Sequence, residues 1–311
     1  GSAPALAVPM IASDGFNESS FANGTNFAPP DNVPPDPTKD YSTEGFWMLT
    51  PAGTSDQTFG GQSLTVNTGG ALITRAGNFA TVTVDDLRMQ DGSFLYVFGS
   101  IPGANRRATL EGAITLDGVA TIDPLRGDQD SRIRVFSAMS GTGGVSIQSS
   151  VVAGGFTVFD GADKTYTGDT TVTAGGVLNI GGTNVLPDLE TDGNLVVEST
   201  GTVRLFGNTQ TTQGLSGGGV VENRSNGAAN LVLQGDADAL AGTVFSGTIR
   251  DGSAGGTLGL TKTGDTRQIF SGTGFSYTGG TTIEDGQLRL AAGASLGSGA
   301  VTITGDGSGT V

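Results

Sequence analysis

The chain has neither Cys nor His among its 311 residues. Without Cys there is no disulfide scaffold. Without Cys and His there is no ordinary zinc site, no haem held by His, and no Ser-His or Cys-His nucleophile. Basic residues are scarce: 15 Lys and Arg stand against 30 Asp and Glu, for a net charge of −15. Only Lys39, Lys164 and Lys262 are lysines. Nucleic-acid binding needs clustered cations to displace the counterions of phosphates, so the balance speaks against DNA or RNA partners. No apolar run reaches the ~20 residues that cross a bilayer, so this chain is not expected to insert into a membrane. No signal peptide is visible. Gly1-Ser2 resembles a protease scar, and a natural signal or anchor is expected to lie outside the stretch given. The lack of Cys fits an exported protein that sidesteps oxidation, although it does not fix the compartment.

Glycine is abundant, at 54 residues, while charged residues make up 14% and hydrophobic ones 36%. Glycine does not recur at every third place, which excludes collagen. Short β-type apolar runs recur throughout, which disordered chains lack. Eight of the 11 prolines precede position 52, and the run at 29–37 can form neither helix nor inner strand. Residues 1–50 therefore read as a Pro-rich arm. It carries Phe16, Phe21, Phe27, Tyr41, Phe46 and Trp47, too many aromatics for a free linker, and is expected to dock on the domain that follows.

From 51 onward short strands alternate with Gly, Asn, Asp and Ser, as at 63–67, 80–84, 194–197, 202–205, 231–233, 287–290 and 301–304. Period-2 alternation puts Leu64, Val66, Val82 and Val84 on one face. Residues 85–90 suit a helical turn or two, or a strand flank. Asp-Gly pairs such as Asp91-Gly92 and Asp285-Gly286 would suit antiparallel hairpins, hence a sandwich. A parallel β-helix instead demands repetition with fixed corner chemistry.

That repetition is present. Phe159, Gly161, Tyr166, Thr167, Gly168, Thr170, Thr171 and Gly175 recur 111 residues on, without a gap, as Phe270, Gly272, Tyr277, Thr278, Gly279, Thr281, Thr282 and Gly286. Val172 becomes Ile283, and after a one-residue shift Leu178 and Ile180 answer Leu288 and Leu290. A degenerate third copy is expected at 240–243. It lies 37 residues before Tyr277, as if two coils of about 18–19 residues formed one unit. In this reading Gly168 and Gly279 turn the chain with backbone angles closed to other residues, Val172 and Ile283 point inward, and Gly175 and Gly286 make the next corner. Each coil buries too little alone and needs its neighbours.

The stretch from Leu260 and Lys262 through Tyr277-Thr278-Gly279 to Leu288 resembles the autotransporter-associated β-strand repeat. The likeness covers about 258–304 most fully and 156–180 less so. The resemblance implies a right-handed parallel β-helix (β-solenoid) of an exported bacterial passenger, secreted or at the cell surface. The all-β fold is divided as 1–50, the arm; 51–158, an irregular solenoid part or subdomain; and 159–311, the repeat-bearing β-helix. The expected role is non-catalytic: an adhesin-like stalk or display segment. Its expected partners are a host or environmental surface, glycans among them, and further repeats or another chain end to end. The alternative is a carbohydrate-active β-helix that binds or cleaves acidic polysaccharide.

Candidate chemistry is thin, and no residue is assigned as catalytic, cofactor-binding or metal-binding. Asp85-Asp86, Asp128/Asp130 and Asp163/Asp169 are neighbouring carboxylates of the kind chance produces in an acidic protein. Arg106-Arg107, with Arg126, Arg132 and Arg134 beside Asp123, Asp128 and Asp130, is the best cluster for a lyase, or else a solvated loop of paired charges. No cofactor is expected. A structural calcium would suit the acidic surface, but Gly305-Asp306-Gly307-Ser308-Gly309 is only similar to a calcium-binding nonapeptide. Phe94-Leu95-Tyr96-Val97-Phe98 is apolar on both faces, as a covered core strand or a platform for sugars requires. Threonine pairs at 81/83, 171/173 and 302/304 are too irregular for an ice-binding array.

Overall fold

The computed structural model describes residues 8–9, 21, 34–97, 107–124, 131–149, 155–161, 164–189, 193–235 and 243–304. The elements are strands, and all the strand pairings described are parallel. This is the all-β parallel solenoid; up-and-down hairpins would have given antiparallel ladders. The chain divides into two compact units, one of 1–145 with 149–157, the other of 146–148 with 158–311.

In the first unit, Asp40–Ser42 pairs with Ser63–Val66, which pairs with Ala80–Met89, which pairs with Arg107–Leu116. A second sheet stacks Trp47–Leu49, Ala71–Thr74, Phe94–Val97 and Ala120–Asp123. Parallel pairing thus begins inside the stretch read as an arm. Even Val8–Pro9 lies beside Asp40–Ser42, which Pro tolerates at an edge. Phe21 is buried with its ring 5.5 Å from that of Phe59, and Tyr41 meets Phe59 edge-on at 5.6 Å. An extended arm over 1–50 is therefore corrected for the part described. Most of 1–33 lies outside the described residues.

The stretch 85–90 is strand. Ala80, Val82 and Val84 point inward, then Leu87 and Met89 do. The change of parity is a bulge: Val84 faces Gly112 while Asp86 faces Ala113, leaving Asp85 unpaired. Gly112 permits it, since its φ is +104° and a Cβ there would lie 1.9 Å from the Val84 carbonyl oxygen.

In the second unit the chain winds round three sheets. The first holds Val177–Ile180, Thr202–Arg204, Val220–Asn223 and Thr248–Asp251. The second holds Thr170–Val172, Leu195–Val197, Leu215–Gly217, Thr243–Phe245, Arg267–Phe270 and Gln287–Leu290. The third holds Thr209–Thr212, Ala229–Leu233, Leu258–Lys262, Thr281–Ile283 and Val301–Ile303. Successive rungs sit ~4.8 Å apart, so like side chains stack. Leu178, Val203, Val221 and Ile249 line the interior from one sheet, and Leu231, Leu260 and Ile283 from another, all essentially inaccessible to water. Each such side chain contributes about 1.5–3 kcal/mol by burial.

Coil length is not constant. Thr202 lies beside Val220, 18 residues on, whereas Ala229 lies beside Leu258, 29 on. Insertions at corners cost only loop-closure entropy, so the rungs keep register while the corners vary. The expected pairing of two 18–19-residue coils into one unit is overturned. One repeat is one coil: Phe270 pairs with Leu290 twenty residues later, and Gly181 N–H donates to the Phe159 carbonyl at 2.8 Å. Most of the third copy at 240–243 lies outside the described residues.

Candidate functional site

The repeat coil is built around a buried phenol. Tyr166 and Tyr277 are both fully buried, and their hydroxyls lie 2.5 Å from Thr170 Oγ1 and 2.6 Å from Thr281 Oγ1. Strand alternation sends Thr281 and Ile283 inward and Thr282 outward. The inward Thr would be an unsatisfied hydroxyl in an apolar core, and the Tyr four residues earlier supplies its partner. Burial raises the Tyr277 hydroxyl above its usual range, against its hydrogen bond with Thr281 and a backbone bond from Gly297.

Other repeat positions do different work from that expected. Gly286 and Gly175 do turn corners with φ of +67° and +79°. Gly279 instead needs room: a Cβ would lie 2.6 Å from the Leu258 carbonyl. Lys164 stands where the second copy has Phe275. Buried, it donates from Nζ to the Asp160 carbonyl at 2.9 Å and lies 5.8 Å from the centre of the Phe159 ring. Phe275 fills its site by edge packing against Phe270 at 4.9 Å and stacking on Phe245 at 6.2 Å.

Lys262 is wholly buried at the end of the strand Leu258–Lys262. Its ammonium donates to the carbonyls of Gln234 at 3.1 Å and Gly264 at 2.8 Å, and to that of Thr263. It gathers carbonyls that a corner leaves unpaired. Burial pulls its pKa down to about 8, with Asp285 and Asp265 opposing. Glu222 is almost buried on the outer side of its strand. It lies in register between Arg204 on the rung before and Arg250 on the rung after. Arg204 donates at 3.1 Å, Arg250 at 2.7 Å, and Arg224 lies 3.5 Å away. Desolvation would raise its carboxyl, but the Arg250 and Arg204 contacts outweigh it and hold the pKa below the usual carboxylate value. Gln268 acts as a piece of backbone: its side chain accepts from Leu215 N–H at 3.0 Å and donates to the Leu215 carbonyl at 2.8 Å. None of these roles is legible before coil lengths are known, because the partners lie 18, 28 or 53 residues apart.

The sequence-derived candidates are scattered. Asp85 is exposed and Asp86 pairs with Arg88 at 3.8 Å, a solvated contact. Asp169 accepts from Asn194 N–H at 2.8 Å. Asp163, Asp128, Asp130, Arg106, Arg126, Phe98 and the 305–309 stretch lie outside the described residues. Asp123 is buried on the second sheet of its unit. The Tyr96 hydroxyl, paired beside it, is pushed up to about 12 by its burial and by this charge. Leu95 and Val97 face the interior, whereas Phe94 and Tyr96 stack at 5.1 Å on the outer side, packed against Leu49, Ala71 and Ile73. Thr302 stacks on Thr282 and Thr261, and the next place in that file is Val232. Arg107 and Arg132 are brought directly opposite each other.

The fold and the buried Tyr-Thr coil define a parallel β-solenoid built from repeating single coils. Residues 154–180 and 260–290 match the family model of the passenger-associated-transport-repeat. This repeat is associated with the passenger domains of autotransporter-type exported proteins. No curated protein and no solved structure matches the chain.

Proposed function

We propose that this chain is a non-catalytic stretch of an exported bacterial passenger, secreted or held at the cell surface, which spaces and displays adhesin-like binding faces. The observation that carries this reading is that one repeat makes one coil. A coil adds a rung without altering the interior of its neighbours, so sequence can lengthen the stack while outer side chains and corner loops vary freely. A chain free of Cys cannot become trapped in disulfides on the way out of the cell, and its net charge of −15 opposes clumping.

Export is the test. With a secretion signal and a translocating β-barrel fused to it, the chain should reach the cell surface and be degraded by protease added to intact cells. Retention inside the cell overturns the reading. The polysaccharide-lyase alternative predicts a rise in unsaturated-uronate absorbance with acidic polysaccharides, lost on Arg106→Ala; no rise is expected.

A further inference from the structure

On the unit formed by 1–145 with 149–157, alternation turns Ala108, Leu110, Ile133 and Val135 inward and leaves Arg107, Arg132 and Arg134 outside. The register sets Arg107 directly opposite Arg132. Like charges so placed are destabilising in a sheet. Each is backed by a ring: Phe79 lies with its centroid 4.9 Å from the Arg107 guanidinium carbon, and Phe156 4.4 Å from that of Arg132. Phe136 lies 5.3 Å from Arg134. Phe79 and Phe136 are 47% and 41% exposed. Phe79 also sits at φ +66°, after Asn78 at +53°, a backbone region that bulky residues rarely adopt. Its N–H is fastened to the Arg107 carbonyl at 2.7 Å. Strained backbone, facing cations and rings turned to water each cost stability, and they coincide on one strip.

We propose that this strip binds an acidic polysaccharide: uronate carboxylates bridge Arg107 and Arg132 while sugar faces lie on the phenyl rings. A guanidinium stacked flat on a ring keeps its N–H edges free for a carboxylate, which takes two of them at once. Rings offer broad faces to the C–H side of a sugar. Three arginines on a chain of net charge −15 suit carboxylates spaced along a sugar chain. Nucleic acid, with its dense phosphates, would need a wider basic groove. The proposal gives chemistry to the display role and rests on that reading only for its biological setting.

The test is affinity electrophoresis of the purified chain through gels holding polygalacturonate, alginate or neutral dextran. Polyuronate should retard the protein, added salt should weaken the effect, and dextran should do nothing. Arg107→Gln with Arg132→Gln should weaken binding at least about tenfold. The paired Lys variants should keep part of it, and Arg88→Gln should be neutral. Should the double Gln variant melt below assay temperature, Phe79→Ser reads the same strip with both cations kept, and it should also weaken binding. Equal retardation by dextran, no retardation by polyuronate, or full binding by the strip variants overturns the proposal. Export is measured in cells, so either idea can fail alone.

Discussion

Lys262 shows how one residue is reassigned by its surroundings. In sequence it is one of three lysines in an acidic chain, the type expected at a surface. Folded, it is wholly buried, its ammonium bound to corner carbonyls. Burial lowers its pKa from 10.5 to about 8. Between these values the unfolded chain binds a proton that the folded chain has released, so stability rises with pH there. The Tyr277 hydroxyl, with its pKa raised from 10, pulls the other way once pH passes 10. Urea midpoints should therefore increase from about pH 8 to 10, and Lys262→Met should flatten that increase. A slope unchanged in Lys262→Met would show that another group is responsible. Tyr277 itself was visible as a repeated residue, but its partner could be named only once Thr281 was seen to point inward.

At the scale of the element, most strands could be read from alternation and Gly punctuation, and the seven stretches expected all fall on strands. Two features could not. The bulge at Asp85 depends on Gly112, a residue of the next rung. The corner glycines pack on the corner below: a Cβ on Gly247 would lie 2.0 Å from the Gly219 carbonyl oxygen and 2.6 Å from the Phe245 ring. Gly247→Ala should thus cost about 2–3 kcal/mol through overpacking against backbone that has nowhere to move. Gly255, whose Cβ would meet nothing within 4 Å, has no such clash. Denaturant midpoints would compare the two alanine variants. Equal losses would place the cost in φ, positive at Gly255, and not in contact.

For the molecule, repetition is the organising rule. The two copies of the coil do not start on the same sheet: Phe159 stands on the sheet of Val177–Ile180, whereas Phe270 stands on that of Leu215–Gly217. The coil carries its own corner and core instructions, and any face of the stack accepts it. It cannot stand alone, because its inward side chains and both strand edges are completed by adjacent rungs. A peptide of residues 260–290 should accordingly be unfolded by circular dichroism in water, although it spans a whole matched repeat. A cooperative melt of that peptide would contradict the nearest-neighbour picture.

The sequence by itself settled the all-β class, the parallel coil and its repeat, because those follow from local patterns: period-2 alternation, β-branched residues and glycine at corners. It also removed whole classes of chemistry by having neither Cys nor His. Only the tertiary structure decided which residues meet across rungs. Glu222 with its arginines, Gln268 with Leu215, and Arg107 opposite Arg132 depend on coil lengths that run from 18 to 29 residues. Corners absorb insertions at little cost, so spacing along the chain does not report neighbours across the stack.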